Sequence, residues 1–189
     1  MWAQPFPLEL VSPYVPACVT PPRVLRRTIP EGDAGTFATL EAMEEVVQGS
    51  VCVALTRHFA GHIVNGARST DARARALKNW LTPRYRFAPD PLELEVITAP
   101  DLQLCQYQTY GFLSGDCDDL AVTVAALGAL AGLAPRFVVI ALEPGGPFEH
   151  VWTELETESG WIEFDLVALV QGLAPAQHGT RRAVKILRL

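Results

Sequence analysis

Three side chains of this sequence could together carry out nucleophilic acyl transfer: Cys117, His150 and Asp165. A thiol is a useful nucleophile only as its thiolate, which a helix N-terminus stabilises through its dipole and unpaired N–H groups. Ser114-Gly115-Asp116 supplies capping residues ahead of Cys117, and Leu120, Val124, Leu127 and Ala131 follow at three- or four-residue spacing. The spacing predicts Cys117 in the first turn of a helix that Gly132 and Pro135 bring to an end. Gly115 is expected to leave room for a substrate backbone. Asp116, Asp118 and Asp119 oppose ionisation of the thiol by like charge. Asp116 is expected as the cap and Asp119 as the second half of a short capping box, so a cationic partner is still needed. Position alone does not decide the matter, since a cysteine at a helix start is more often a small buried residue.

Of the four histidines, His150 alone follows that helix in a region of strand character. Alternation puts His150, Trp152 and Glu154 on one face of a strand, and Trp161, Glu163 and Asp165 on one face of the next. A hairpin closing on Thr157 and Glu158 sets His150 directly opposite Asp165, within reach of a carboxylate that fixes the imidazole tautomer. A slip of two residues would set Trp152 there instead.

The elements needed to position these groups are partly legible. Apolar periodicity predicts helices from Thr36 to about Gly49, from about Ser50 to Val64, and from Ser69 to Leu81. Pro-rich connecting sequence follows, with a short strand at Leu92 to Ile97. After the Cys117 helix the period changes from 3.6 to 2, predicting strands at Arg136–Leu142, Phe148–Glu156 and Trp161–Val167. Helices first and an antiparallel sheet later make an α+β domain. Residues 1–30 hold seven of the fifteen prolines and read as an extended arm. Residues 31–68 read as a helical extension, and 69–189 as the core with its C-terminal tail.

Composition narrows the function. The 189 residues suit one well-packed domain, nearly half are apolar, and the net charge of −6 offers no footprint for a phosphate backbone. A nucleic-acid partner is not expected. Neither is a membrane span, because no run approaches ~18 uninterrupted apolar residues, and the N-terminus lacks the basic start of a signal peptide. Cys18, Cys52, Cys105 and Cys117 form no CxxC pair. All four are expected as thiols in a reducing, cytoplasmic setting.

Beyond these residue-level readings, the chain resembles the bacterial transglutaminase-like superfamily, and its small bacterial and phage-type members in particular. The resemblance rests on Gly115-Asp116-Cys117-Asp118-Asp119, the Gly132-Leu133-Ala134-Pro135-Arg136-Phe137-Val138-Val139 stretch, His150-Val151-Trp152, and Trp161-Ile162-Glu163-Phe164-Asp165. Tyr85-Arg86-Phe87-Ala88-Pro89-Asp90-Pro91 and Glu95-Val96-Ile97-Thr98-Ala99-Pro100 resemble the family's pre-catalytic region. The resemblance implies a papain-like fold: N-terminal helices, a nucleophile at a helix N-terminus, and an antiparallel sheet. It implies Cys117 as nucleophile, His150 as general base and acid, and Asp165 as orienter, with no cofactor and no metal. Where many relatives carry Leu-Asp-Pro, this chain has Phe164-Asp165-Leu166. The reaction implied is acyl transfer on a peptide or isopeptide amide, by hydrolysis as in a cysteine protease or amidase. A crosslinking transglutaminase, or a binding module that kept the fold, are the alternatives. The backbone N–H of Cys117 is a reasonable oxyanion donor, and Gln106, Gln108 or Tyr110 could supply a second.

Other constellations are expected to be structural. His58 and His62 have metal-ligand spacing but no third ligand. Asp118, Asp119 and His150 read as cap and base rather than as a cation site. Arg181, Arg182 and Lys185 read as a solvated stretch after the domain.

Overall fold

The computed structural model describes residues 24–27, 32–90, 95–167 and 181–187. In chain order its elements are β1 (Val24–Arg27), α1 (Asp33–Ser50), α2 (Ala54–Ile63), α3 (Thr70–Leu81), β2 (Tyr85–Phe87) and β3 (Glu95–Thr98). They continue as α4 (Pro100–Tyr110), β4 (Leu113–Gly115), α5 (Cys117–Leu130), β5 (Pro135–Ala141), β6 (His150–Thr157), β7 (Gly160–Glu163) and β8 (Arg181–Ile186). The fold is α+β, as the periodicity predicts.

The scaffold is α5 laid on an antiparallel sheet of order β7-β6-β5-β8. Every residue from Asp118 to Gly128 is buried, because α5 sits between two hydrophobic clusters. On one side Leu120, Val124 and Leu127 meet Leu77, Leu81, Leu104, Leu155 and Phe164. On the other, Ala121, Val122 and Ala125 meet Leu40, Met43, Val47, Phe137 and Val151. A helix enclosed this way is apolar all round rather than striped. Its end is a complete Schellman motif: Gly132 at φ 77° donates to Ala129 O, and Leu133 donates to Gly128 O.

Several expectations shift. Helix α1 begins at Asp33, three residues early, behind Gly32 at φ 70°. Ser50, expected to open the second helix, instead closes the first, buried with its hydroxyl 3.4 Å from Asp101 Oδ1. Ser69 caps α3 by accepting from Ala72 N–H, as predicted. The strand expected from Leu92 is β3, and residues 91–94 lie outside the described set.

Five elements have no counterpart among those the periodicity predicts: β1, β2, α4, β4 and β8. Helix α4 follows the proline-rich connecting sequence, which ends near Asp101, with Pro100 at its first turn and Gly111 as a left-handed C-cap. Strand β8 carries Arg181, Arg182 and Lys185 not as a solvated tail but as a sheet strand beside β5, with Lys185 paired to Glu44 at 2.9 Å. Within the proline-rich arm, β1 pairs antiparallel with β3; the rest of the arm lies outside the described residues.

The hairpin register also differs. Thr157 pairs with Gly160, Glu156 with Trp161, and Glu154 with Glu163, so the turn is Glu158-Ser159 and every pair is two residues from the expected one. Gly160 takes φ 115°, which favours glycine, and Thr157 Oγ1 donates to its carbonyl. The tip is then fastened to α3: Asp71 accepts from Thr157 Oγ1 and Ser159 Oγ, and Thr70 Oγ1 accepts from Glu158 N–H.

Cysteine chemistry is corrected as well. Cys52 and Cys117 are thiols, but Cys105 is disulfide-bonded, so the four-thiol expectation fails. Among the described residues, no helix is long and apolar enough to cross a membrane.

Candidate active site

Cys117 is the first residue of α5, half-buried and packed against both core clusters. Asp116 is its N-cap, and the capping box is complete: the Asp116 side chain accepts from Asp118 N–H, and Asp119 Oδ2 accepts from Asp116 N–H at 3.4 Å. Asp119 is also tied to β3, its Oδ1 accepting from Thr98 N–H at 2.6 Å, while its carbonyl accepts from Gln103 Nε2 at 2.7 Å. Gly115 has a different purpose from the one expected. A Cβ there would collide with the Asp119 carboxylate, so the missing side chain makes room for the cap and not for a substrate.

The other two candidates come from the sheet. His150 opens β6, and Asp165 follows the end of β7. His150 Nε2 lies 3.0 Å from Asp165 Oδ1, with both side chains largely shielded from water. The contact forms although the register argument for it fails. In the observed register Asp165 is the continuation opposite Trp152, and His150 reaches it diagonally along the same face. With Nε2 turned to the carboxylate, Nδ1 is the nitrogen left for a proton acceptor's task. Trp152 is buried beneath, its ring 5.7 Å from the imidazole.

Helix and strand run side by side in the same direction. Thr153 Oγ1 donates to Ala121 O at 2.7 Å, and further along Gly128 meets the Leu155 side chain. Cys117 lies one turn before Ala121, about 6 Å, and His150 three residues before Thr153, about 10 Å. Both residues therefore stand at the leading ends of packed neighbours. Phe148, just ahead of His150, joins the cluster that Cys117 touches.

The acidic surroundings are less hostile to a thiolate than their formal charge implies. Burial first, then Asp116 and Asp119, hold the Asp118 carboxyl well above the usual carboxylate range, toward its neutral form. Burial likewise pushes Asp119 up to about 7, against the backbone N–H of Thr98 that pulls it down. Asp90, accepting from Val96 N–H, is also raised by burial. Asp116, Asp118 and Asp119 offer oxygens within 4.8 Å of one another, a spacing a cation could use. Asp119 Oδ2 and Asp116 Oδ1 already serve the cap, and Asp119 Oδ1 is taken by Thr98 N–H.

Of the suggested oxyanion partners, Gln106 is engaged at both ends with Ser114, accepting from its N–H and donating to its Oγ. Tyr110 ends α4 with most of its surface in water. His58 and His62 stack in parallel on α2 with centroids 6.3 Å apart. Tyr85, which the sequence marks only as part of the stretch resembling the family's pre-catalytic region, is buried, with its hydroxyl on the carbonyls of Gly115 and Asp116. No local signal links positions so far apart in the chain.

Residues 57–166 match the model of the transglutaminase-like superfamily. The chain belongs to that superfamily. Its core is the papain-like, transglutaminase-like arrangement, with the nucleophile candidate at a helix N-terminus against an antiparallel sheet. A candidate protease from Parabacteroides distasonis superposes with a TM-score of 0.55 at 7% identity, over 77% of this chain and 36% of that one. A candidate cysteine protease from Cytophaga hutchinsonii gives 0.44 at 16% identity, over 68% and 45%. This transglutaminase-like chain thus spans less than half the length of either. No curated protein matches it.

Proposed function

We propose that this transglutaminase-like protein is a cysteine-nucleophile acyl-transfer enzyme acting on peptide or isopeptide amides. Cys117 is the nucleophile, His150 the general base and acid, and Asp165 the residue that orients His150. The observation that carries the reading is the 3.0 Å contact between His150 Nε2 and Asp165 Oδ1 at the end of β6 that lies alongside the N-terminus of α5.

In the forward half-reaction, Nδ1 of His150 takes the thiol proton and the Cys117 sulfur attacks the amide carbonyl carbon. The resulting tetrahedral oxyanion faces the N–H groups at the head of α5. His150 then hands its proton to the departing amine, the C–N bond breaks, and a thioester to Cys117 remains. Asp165, 3.0 Å from Nε2, favours the imidazolium and keeps that nitrogen turned away from the thiol. We take water to resolve the thioester, making the reaction a hydrolysis; the Parabacteroides relative, a candidate protease, leans the same way.

The test is alkylation by iodoacetamide across pH 5–9, read by peptide mass spectrometry. Cys117 should react roughly tenfold or more faster than Cys52 below pH 7, and His150→Ala should remove that advantage. Equal rates for the two thiols would leave a binding module that kept the fold.

A further inference from the structure

Tyr85 on β2 is wholly buried, and its hydroxyl stands 2.6 Å from the Gly115 carbonyl and 2.5 Å from the Asp116 carbonyl. Burial, then the charges of Asp116 and Asp119, hold the phenol far above the ordinary tyrosine range, so it remains a donor at any working pH. Neither carbonyl needs it. Gly115 O also accepts from Ala88 N–H at 2.8 Å, and Asp116 O from Leu120 N–H at 3.3 Å, the first bond of α5. The hydroxyl therefore orients two carbonyls that are already satisfied.

The orientation has a chemical consequence. In a trans peptide the C=O and the following N–H point in opposite directions. Holding the Asp116 carbonyl on the Tyr85 side turns the N–H of Cys117 the other way, out of the head of the helix. We infer that Tyr85 is a positioning residue whose hydroxyl fixes the Asp116–Cys117 peptide plane, so that the Cys117 N–H is set as an oxyanion donor. This rests on the reading of Cys117 as the nucleophile. It adds a group that touches neither substrate nor sulfur chemistry directly.

Two probes of Cys117 separate the roles. Iodoacetamide is displaced at a saturated carbon: the sulfur forms a C–S bond, iodide leaves, and no oxyanion arises. With p-nitrophenyl acetate the sulfur adds to a carbonyl carbon, the tetrahedral oxyanion collapses, the C–O bond breaks, and p-nitrophenolate leaves an acetyl thioester behind. Only the second reaction needs an aligned N–H donor. Tyr85→Phe keeps the ring and orphans no carbonyl. It should slow acetylation about tenfold or more while alkylation of Cys117 keeps its rate and pH profile.

Unchanged acetylation would overturn the inference, as would acetylation and alkylation falling together, the pattern of a merely structural residue. A Phe variant that fails to reach the wild-type melting temperature and near-ultraviolet dichroism would also overturn it, making the hydroxyl a folding requirement. Wild-type Cys117 that is no more reactive than Cys52 toward iodoacetamide is a distinct result. It removes the nucleophile reading itself, and the inference with it.

Discussion

Both carboxyl oxygens of Asp118 are buried without a hydrogen-bond donor, one residue from the thiol. Such a group is stable as the acid and costly as the anion. The same holds in milder form for Asp119, whose folded value of about 7 lies above the ordinary aspartate value of 3.8. A carboxyl raised in the folded state contributes stability fully only below its unfolded pKa, and that contribution is lost as pH rises through the folded one. The protein should accordingly lose stability between about pH 4 and pH 7 through Asp119, and Asp118 acts in the same direction as pH rises. Asp118→Asn, which mimics the neutral acid, should raise unfolding free energy at pH 8 by on the order of 1–3 kcal/mol and change little at pH 4. Urea titrations at the two pH values measure it, and equal effects at both would contradict it. At this scale the sequence was informative where the chemistry is local. The cap at Asp116 and the box with Asp119 follow from neighbours along the chain. The contacts of Tyr85 and Thr98 were invisible because what they touch is far away in sequence. The use of Gly115 was misread, since a missing Cβ does not say which group fills the space.

Between elements, α5 comes close against β6 at Gly128. A Cβ on Gly128 would run into the methyl groups of Leu155, which is itself fully buried. Alanine is worth up to about 1 kcal/mol over glycine in a helix, whereas overpacking a filled core costs about 1–3 kcal/mol. The second effect should win. Gly128→Ala is expected to lower the denaturant midpoint although it improves helix propensity, and a gain in stability would show that Leu155 has room to move. Elements were readable wherever burial produced a period. Helices α1, α2 and α3 and strands β5, β6 and β7 came from apolar spacing, with ends displaced by a few residues. Helix α4 was missed because its buried face includes Asp101 and Gln103, which bond to Ser50 and to the Asp119 carbonyl and so break the apolar stripe. Strand β8 was missed because two arginines and a lysine disguise an alternation in which Ala183 and Leu187 are shielded while Val184 and Ile186 face water.

For the molecule as a whole, the disulfide at Cys105 is the feature that composition argued against, since a domain this size has core enough without one. Cys105 should become open to alkylation only after reduction, and reduction should lower stability by about 2–4 kcal/mol, read as a fall in melting temperature. No change in either would mean that the bond is not formed in solution. The fastening of the β6–β7 tip to Asp71 has a further consequence, in the order of events during folding. Two registers of this hairpin, two residues apart, keep the same side chains on the same faces, so the strands alone discriminate weakly between them. Asp71 and Thr70 supply the discrimination from the far end of the hairpin. They belong to a helix that leaves the ribosome well before the strands do. Vectorial synthesis thus presents the template first, and the alignment of His150 with Asp165 is inherited from a helix that grips the hairpin at its tip and, through Lys78, at the Glu163 carbonyl.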